Sequence, residues 1–166
     1  DAAVKSYEQA LAIKPDYANA CNNLGVTLQE LGQLDAAVKS YEQALALKPD
    51  FADAYNNLGI TLMKLGQLDA AIKSYEQALA INPDYAEAHN NHGNALMDLG
   101  QLDAALKSYE QALAINPDYA DAFNNLGNAL RGLGRLDAAV KCYEKAVAIK
   151  PDYAEAYHNH GSIMKR

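Results

Sequence analysis

A period of 34 residues runs the length of this chain and sets the limits on what it can fold into. Pro-Asp followed by an aromatic recurs at Pro15, Pro49, Pro83, Pro117 and Pro151, with Tyr17, Phe51, Tyr85, Tyr119 and Tyr153 two residues after each proline. Counted from the Ala after each aromatic, full units occupy 18–51, 52–85, 86–119 and 120–153. Residues 1–17 match the second half of a unit and residues 154–166 the first half. A unit this short cannot bury an apolar face alone, so each copy has to cover the next, and residues 1–166 read as a single stacked array.

Inside a unit the punctuation predicts helix, turn, helix. In the third copy Asp84 is placed to N-cap the first helix with Glu87 completing a capping box, a pair that recurs as Asp152 and Glu155. Gly100 marks a glycine C-terminus, Asp103 is placed to cap the second helix, and Pro117 stops it. No stretch alternates with period two, so no strand is expected. On the first helix His89, His92, Gly93 and Leu96 form a packing stripe, while Glu87, Asn90, Asn91, Asn94, Met97 and Asp98 face outward. On the second helix Ala105, Tyr109, Ala112 and Leu113 are the buried stripe, and Lys107, Ser108, Glu110 and Gln111 the solvated one. Repeated small residues at Gly93, Ala105 and Ala112 predict close backbone approach, with the Tyr filling the space between pairs.

Charge excludes one class of partner. With 14 basic and 21 acidic residues the formal charge is −7, the wrong sign and distribution for a nucleic-acid backbone. No run of 18 apolar residues exists to span a membrane. Cys21 and Cys142 fall in different copies, too far apart along a stack to pair, and unpaired thiols fit a reducing, cytoplasmic setting. The chain opens in mid-pattern at Asp1, so the reading of compartment takes no account of any preceding segment.

The spacing of Tyr55, Leu58, Gly59, Leu62, Ala71, Tyr75, Ala78 and Pro83 resembles the tetratricopeptide repeat signature, and the resemblance covers all 166 residues. The departures are Cys21, Tyr55, His89, Phe123 and Tyr157 where Trp is favoured, and His92 and His160 where Leu is usual. The resemblance implies an all-α, right-handed superhelical solenoid of antiparallel helix pairs, about ten helices, whose first helices line a concave groove that binds peptides or partner domains.

In that groove the sharpest signal is an Asn near the start of each unit: Asn23, Asn57, Asn91, Asn125 and Asn159. A side-chain amide offers donor and acceptor together and can pair with the backbone of an extended peptide whatever its sequence. The row also holds Asn22, Asn56, Asn90 and Asn124, then Asn94 and Asn128, and apolar positions at Val26, Ile60, Met63 and Met97 that suit adaptable contacts. The plainer alternative is duplication that left Asn as a soluble surface residue. A similar Asn ladder marks the superhelical arm of O-linked N-acetylglucosamine transferases, whose repeats these resemble in the NNLGNAL segment.

The acidic row Asp53, Glu87, Asp121 and Glu155 is read as helix-start carboxylates before ligand contacts. Asn22, Asn56 and Asn90 stand where chaperone-tail binders of the family carry Lys and Arg, which argues against a carboxylate clamp. His89 and His92 have the spacing to share a metal but lack the further ligands a structural zinc needs, so no metal and no cofactor are expected. Cys142 replaces the Ser of Ser6, Ser40, Ser74 and Ser108 and is read as an exposed thiol. No nucleophile with its base and no phosphate loop can be assembled, so catalysis is not expected of these residues.

The function expected is therefore a non-catalytic scaffold that holds a protein or peptide ligand, with no nucleic-acid or membrane partner. Two rivals remain: the substrate-recognition arm of a larger transferase, and a structural or engineered array without a natural ligand. The complementary half-units at the two ends add an expectation of head-to-tail self-association.

Overall fold

The computed structural model describes residues 2–14 and 17–164. The chain divides into two compact units, Asp1–Pro83 and Asp84–Arg166. The first contains α1 (Ala2–Ile13), α2 (Ala18–Glu30), α3 (Leu34–Leu47), α4 (Ala52–Lys64) and α5 (Leu68–Ile81). The second contains α6 (Ala86–Asp98), α7 (Leu102–Ile115), α8 (Ala120–Gly132), α9 (Leu136–Ile149) and α10 (Ala154–Met164). Among the described residues there is no strand, and the fold is all-α as expected. None of the helices is long and apolar enough to cross a membrane.

In the first unit α2 packs on α3 and α4 on α5, with α1 against α2 and α3 against α4. In the second α6 packs on α7 and α8 on α9, with α7 against α8 and α9 against α10. Within each unit the first helices of successive pairs also touch, α2 with α4 and α6 with α8.

The turn inside each pair depends on one residue. Gly100 sits at φ +74°, in the left-handed region where a Cβ is costly. Its N–H bonds the Met97 carbonyl at 2.8 Å, and the Gln101 N–H reaches back to the Leu96 carbonyl at 2.8 Å. These two bonds form a Schellman closure that satisfies the last carbonyls of α6 and folds α7 back along it. The second helices end differently: Lys48, Asn82 and Lys150, at φ between −138° and −124°, are extended because each precedes a proline whose ring excludes the helical region.

Each second helix buries a tyrosine and two alanines. Tyr41, Tyr75, Tyr109 and Tyr143 are at most 1% exposed, and Ala37, Ala44, Ala71, Ala78, Ala105, Ala112, Ala139 and Ala146 are fully buried. The tyrosine rings lie on the glycines of the preceding helix, Gly25, Gly59, Gly93 and Gly127, which have no side chain to hold them away.

Three local expectations are corrected. The helix starts are not capped by Asp: Tyr85 and Gln101 hold the N-cap positions of α6 and α7, and neither makes a side-chain capping bond. Asp84 falls one residue too early and Glu87 one residue too close for a capping box, while Asp103 lies inside the first turn of α7, where the helix dipole still favours it. The serine row is not solvated: Ser40, Ser74 and Ser108 are buried and bond the carbonyls of Ala36, Ala70 and Ala104 four residues back. Cys142, in the same row, is half-buried, and burial raises its thiol pKa against the lowering effect of Lys145.

Candidate functional site

The paired asparagines of the first helices divide into two populations. Asn22, Asn56, Asn90 and Asn124 are buried, at 8%, 1%, 5% and 0% exposure, which corrects the outward position expected of them. Within each unit Asn22, Asn90 and Asn124 lie beside the next first helix, where side-chain amides pair with them. In the first unit Asn57 Nδ2 donates to Asn22 Oδ1 at 3.1 Å. In the second, Asn125 Nδ2 donates to Asn90 Oδ1 at 3.0 Å and Asn159 Nδ2 to Asn124 Oδ1 at 3.0 Å.

Further bonds hold the buried members in place. Asn124 Nδ2 donates to Glu155 Oε1 at 2.9 Å, and the Tyr153 hydroxyl donates to Asp121 while accepting from Asn124. Asn90 bonds the Tyr119 hydroxyl. Asp121 and Glu155 thus serve the contact between repeats, a role the sequence did not suggest. Burial, the hydrogen bond to Asp121 and the nearby carboxylates of Asp121 and Glu155 all push the Tyr153 hydroxyl upward, outside the ordinary tyrosine range.

The second population faces outward. Asn23 is exposed, and Asn57, Asn91 and Asn125 are half-buried; Asn159 departs from them and is buried. Val26, Ile60, Met63 and Met97 are half-buried. Asn94 and Asn128 are half-buried and each accepts from the tyrosine below, Tyr109 at 2.8 Å and Tyr143 at 2.9 Å. In the first unit Val26 stands at the equivalent place and offers no acceptor, so the Tyr41 hydroxyl turns to Gln29 Oε1 at 3.4 Å, an atom that also accepts from Thr61. The change from apolar to Asn along the row is therefore coupled to where a buried phenol finds its acceptor.

The second unit brings several of these residues around open cavities. One of about 250 Å³ is lined by Asn94, Met97, Asp98, Tyr109, Asn125 and Asn128. A second of about 480 Å³ shares Asn128 and adds Arg131, Leu136, Ser162 and Ile163, with Arg131 Nη1 donating to Ser162 Oγ at 3.2 Å. The lining offers amide groups, a thioether, a carboxylate and a guanidinium. Tyr109, a core residue by helical spacing, also lines the first cavity, and Ser162 lines the second; a helical stripe does not reveal either position.

His89 and His92 do not assemble with other ligands. His92 Nδ1 bonds Ser108 Oγ at 3.0 Å, which ties this histidine to the second helix of its own pair. No group of three His, Cys, Asp or Glu among the described residues is placed to hold a metal.

A family model described as TPR repeat matches residues 1–32, 30–66, 61–100, 93–132 and 127–166. The chain belongs to the TPR repeat family. A comparison with curated proteins finds no match. Among solved structures, the TPR chain is similar to one described as the crystal structure of MamA, at 29% identity and TM-score 0.83, over 92% of this chain and 89% of that one. It is also similar to TTC0263, a thermophilic TPR protein in Thermus thermophilus, at 26% identity and TM-score 0.81, over 98% of this chain and 89% of that one. An MamA RS-1 ArsTM double mutant, at 20% identity and TM-score 0.81 over 91% of this chain and 85% of that one, shares the fold.

Proposed function

We propose that this TPR protein is a non-catalytic interaction scaffold that holds an extended peptide segment against its first helices through the outer asparagines. The observation that carries this reading is the fixed setting of Asn125 beside the cavity of the second unit. Its Nδ2 is tied to Asn90, which orients the amide and leaves Oδ1 and the second N–H for a peptide backbone. Asn57 is set in the same way by Asn22. An amide held in place before binding loses little rotamer freedom when a ligand arrives.

The donor already given to the neighbouring repeat limits what each rung supplies. At about 0.5–1.5 kcal/mol per hydrogen bond a few rungs give several kcal/mol. Ordering a flexible peptide takes back about 2–5 kcal/mol. Broad, weak recognition follows, with Met97 and the flanking Asp98 adding side-chain preference in the second unit.

The test is capture of a proteome-derived peptide library by the parent chain and by the combined Asn57→Ala, Asn91→Ala and Asn125→Ala variant. Thermal unfolding is followed in parallel, because the same amides link repeats. Loss of capture at a temperature where both proteins are folded supports the reading; equal capture removes it.

A further inference from the structure

We infer, on the reading that the first helices hold an extended peptide, that the cavity lined by α6, α7 and α8 takes a lysine or arginine side chain of that peptide, with Asp98 as its counter-charge and Met97 along its aliphatic stem. The cavity, of about 250 Å³, is lined by Asn94, Met97, Asp98, Tyr109, Asn125 and Asn128, with no lysine, arginine or histidine among the described residues. Its amides are fixed by other bonds. Asn94 Oδ1 and Asn128 Oδ1 accept from Tyr109 and Tyr143, and Asn125 gives an N–H to Asn90, which leaves Asn125 Oδ1 as a further acceptor for a cationic head group.

The negative charge here is uncompensated. Asp98 is exposed and makes no ion pair among the described residues. It is also the last residue of α6, so its carboxylate adds to the negative end of the helix dipole. The neighbouring first helices α4 and α8 carry Lys64 and Arg131 in their last turns, whereas the last turn of α6 has no basic residue. Burial and then the charge of Asp98 raise the Tyr109 pKa, so the carboxylate acts on the same space that the phenol borders. Arg131 lines the other cavity of this unit, where it donates to Ser162.

The combination does not recur in the first unit. Glu30 ends α2 as Asp98 ends α6, but there Val26 and Ile60 replace Asn94 and Asn128, and Lys64 replaces Gly132 in the next first helix. A carboxylate with amides around it and no cation one repeat on is therefore particular to α6 and α8. The half-buried Met97 gives the site an apolar wall. A long basic side chain suits such a wall, because its methylenes lie along apolar surface while the charged head reaches the carboxylate.

Capture of short synthetic peptides, in pools that are random except for a central Lys, Arg, Gln or Glu, tests this, with circular dichroism showing each protein helical at the assay temperature. The parent should retain the Lys and Arg pools about fivefold over the Gln pool, the upper end for a partly exposed ion pair. Asp98→Asn should lose that preference. Asp98→Lys, which places at this register the residue type that α4 already carries as Lys64, should favour the Glu pool. Glu110→Gln removes the same charge from an exposed position on α7 and should keep the preference of the parent. Capture of every pool alike by the parent, a preference that survives in Asp98→Asn, or an equal loss in Glu110→Gln would overturn the cation site and leave the peptide-holding reading standing; a parent that captures no pool would overturn both.

Discussion

Gly93 and Tyr109 are packed so closely that a methyl on the glycine would lie 2.5 Å from ring Cε1, below any real carbon contact. The ring cannot move aside easily, because it is buried and its hydroxyl is held by Asn94 at 2.8 Å. Gly93→Ala should therefore destabilise the second unit by about 1–3 kcal/mol, the usual cost of overpacking a core. Gly161→Ala, in open space on the same helical register, should stabilise α10 in dilute solution by roughly 0.5–1 kcal/mol through helix propensity. Thermal unfolding of the two variants side by side checks the opposite signs.

Gly100 constrains the fold by conformation and not by space. Its φ is +74° and nothing lies within 4 Å of its Cβ position, so substitution there meets backbone strain alone. Gly100→Ala should cost about 1–2 kcal/mol, and Gly100→Asn less, because Asn tolerates the left-handed region. Denaturant midpoints ordered Gly, Asn, Ala would bear this out; equal midpoints for Asn and Ala would not.

The two members of an Asn pair should behave differently when truncated. Asn124 is fully buried and bonded to both Asn159 and Glu155, so Asn124→Ala leaves polar groups without partners and should cost about 1–3 kcal/mol. Asn125 gives one hydrogen bond from a half-buried site, and Asn125→Ala should cost nearer about 0.5–1.5 kcal/mol. Melting temperatures report the difference, and a larger loss at position 125 would contradict the division into inner and outer asparagines.

Alkaline pH should loosen the stack. Burial pushes the Tyr41 hydroxyl up from 10.0 to about 12, and Tyr109, Tyr143 and Tyr153 are raised in the same direction, chiefly by burial. A group whose folded pKa is raised holds its proton more tightly when folded, so its stabilisation is complete below the unfolded value and is lost as pH rises through the folded one. For Tyr41 that window runs from 10.0 to about 12. Melting temperature should be insensitive to these groups at neutral pH and fall across that window, together with the ultraviolet signal of tyrosine ionisation; ionisation at the free-tyrosine pH with no loss of structure would refute it.

Much of this was legible in the residues themselves. Gly100 and Pro117 mark helix ends through local backbone sterics, and the stripe of Ala105, Tyr109 and Ala112 follows from helical spacing, so short-range rules recover them. The capping reading failed because the Pro-Asp-aromatic turn uses Tyr85 as the residue at the helix start and shifts Asp84 out of range, a geometry that spacing alone does not distinguish from an Asp cap.

The repeat period and the helix pairs were determined by sequence, because each rests on interactions within one unit that recurs unchanged, whereas the seating of each tyrosine on the glycine of its own pair, and not between pairs, was decided by packing. Which asparagine of each pair is buried, that Asn125 is tied to Asn90, and that Asn94 serves Tyr109 were decided only by tertiary structure. Those contacts join residues 35 or 15 positions apart, and a hydrogen-bonding amide has no periodic signature of whether its partner is a ligand, water or the neighbouring repeat.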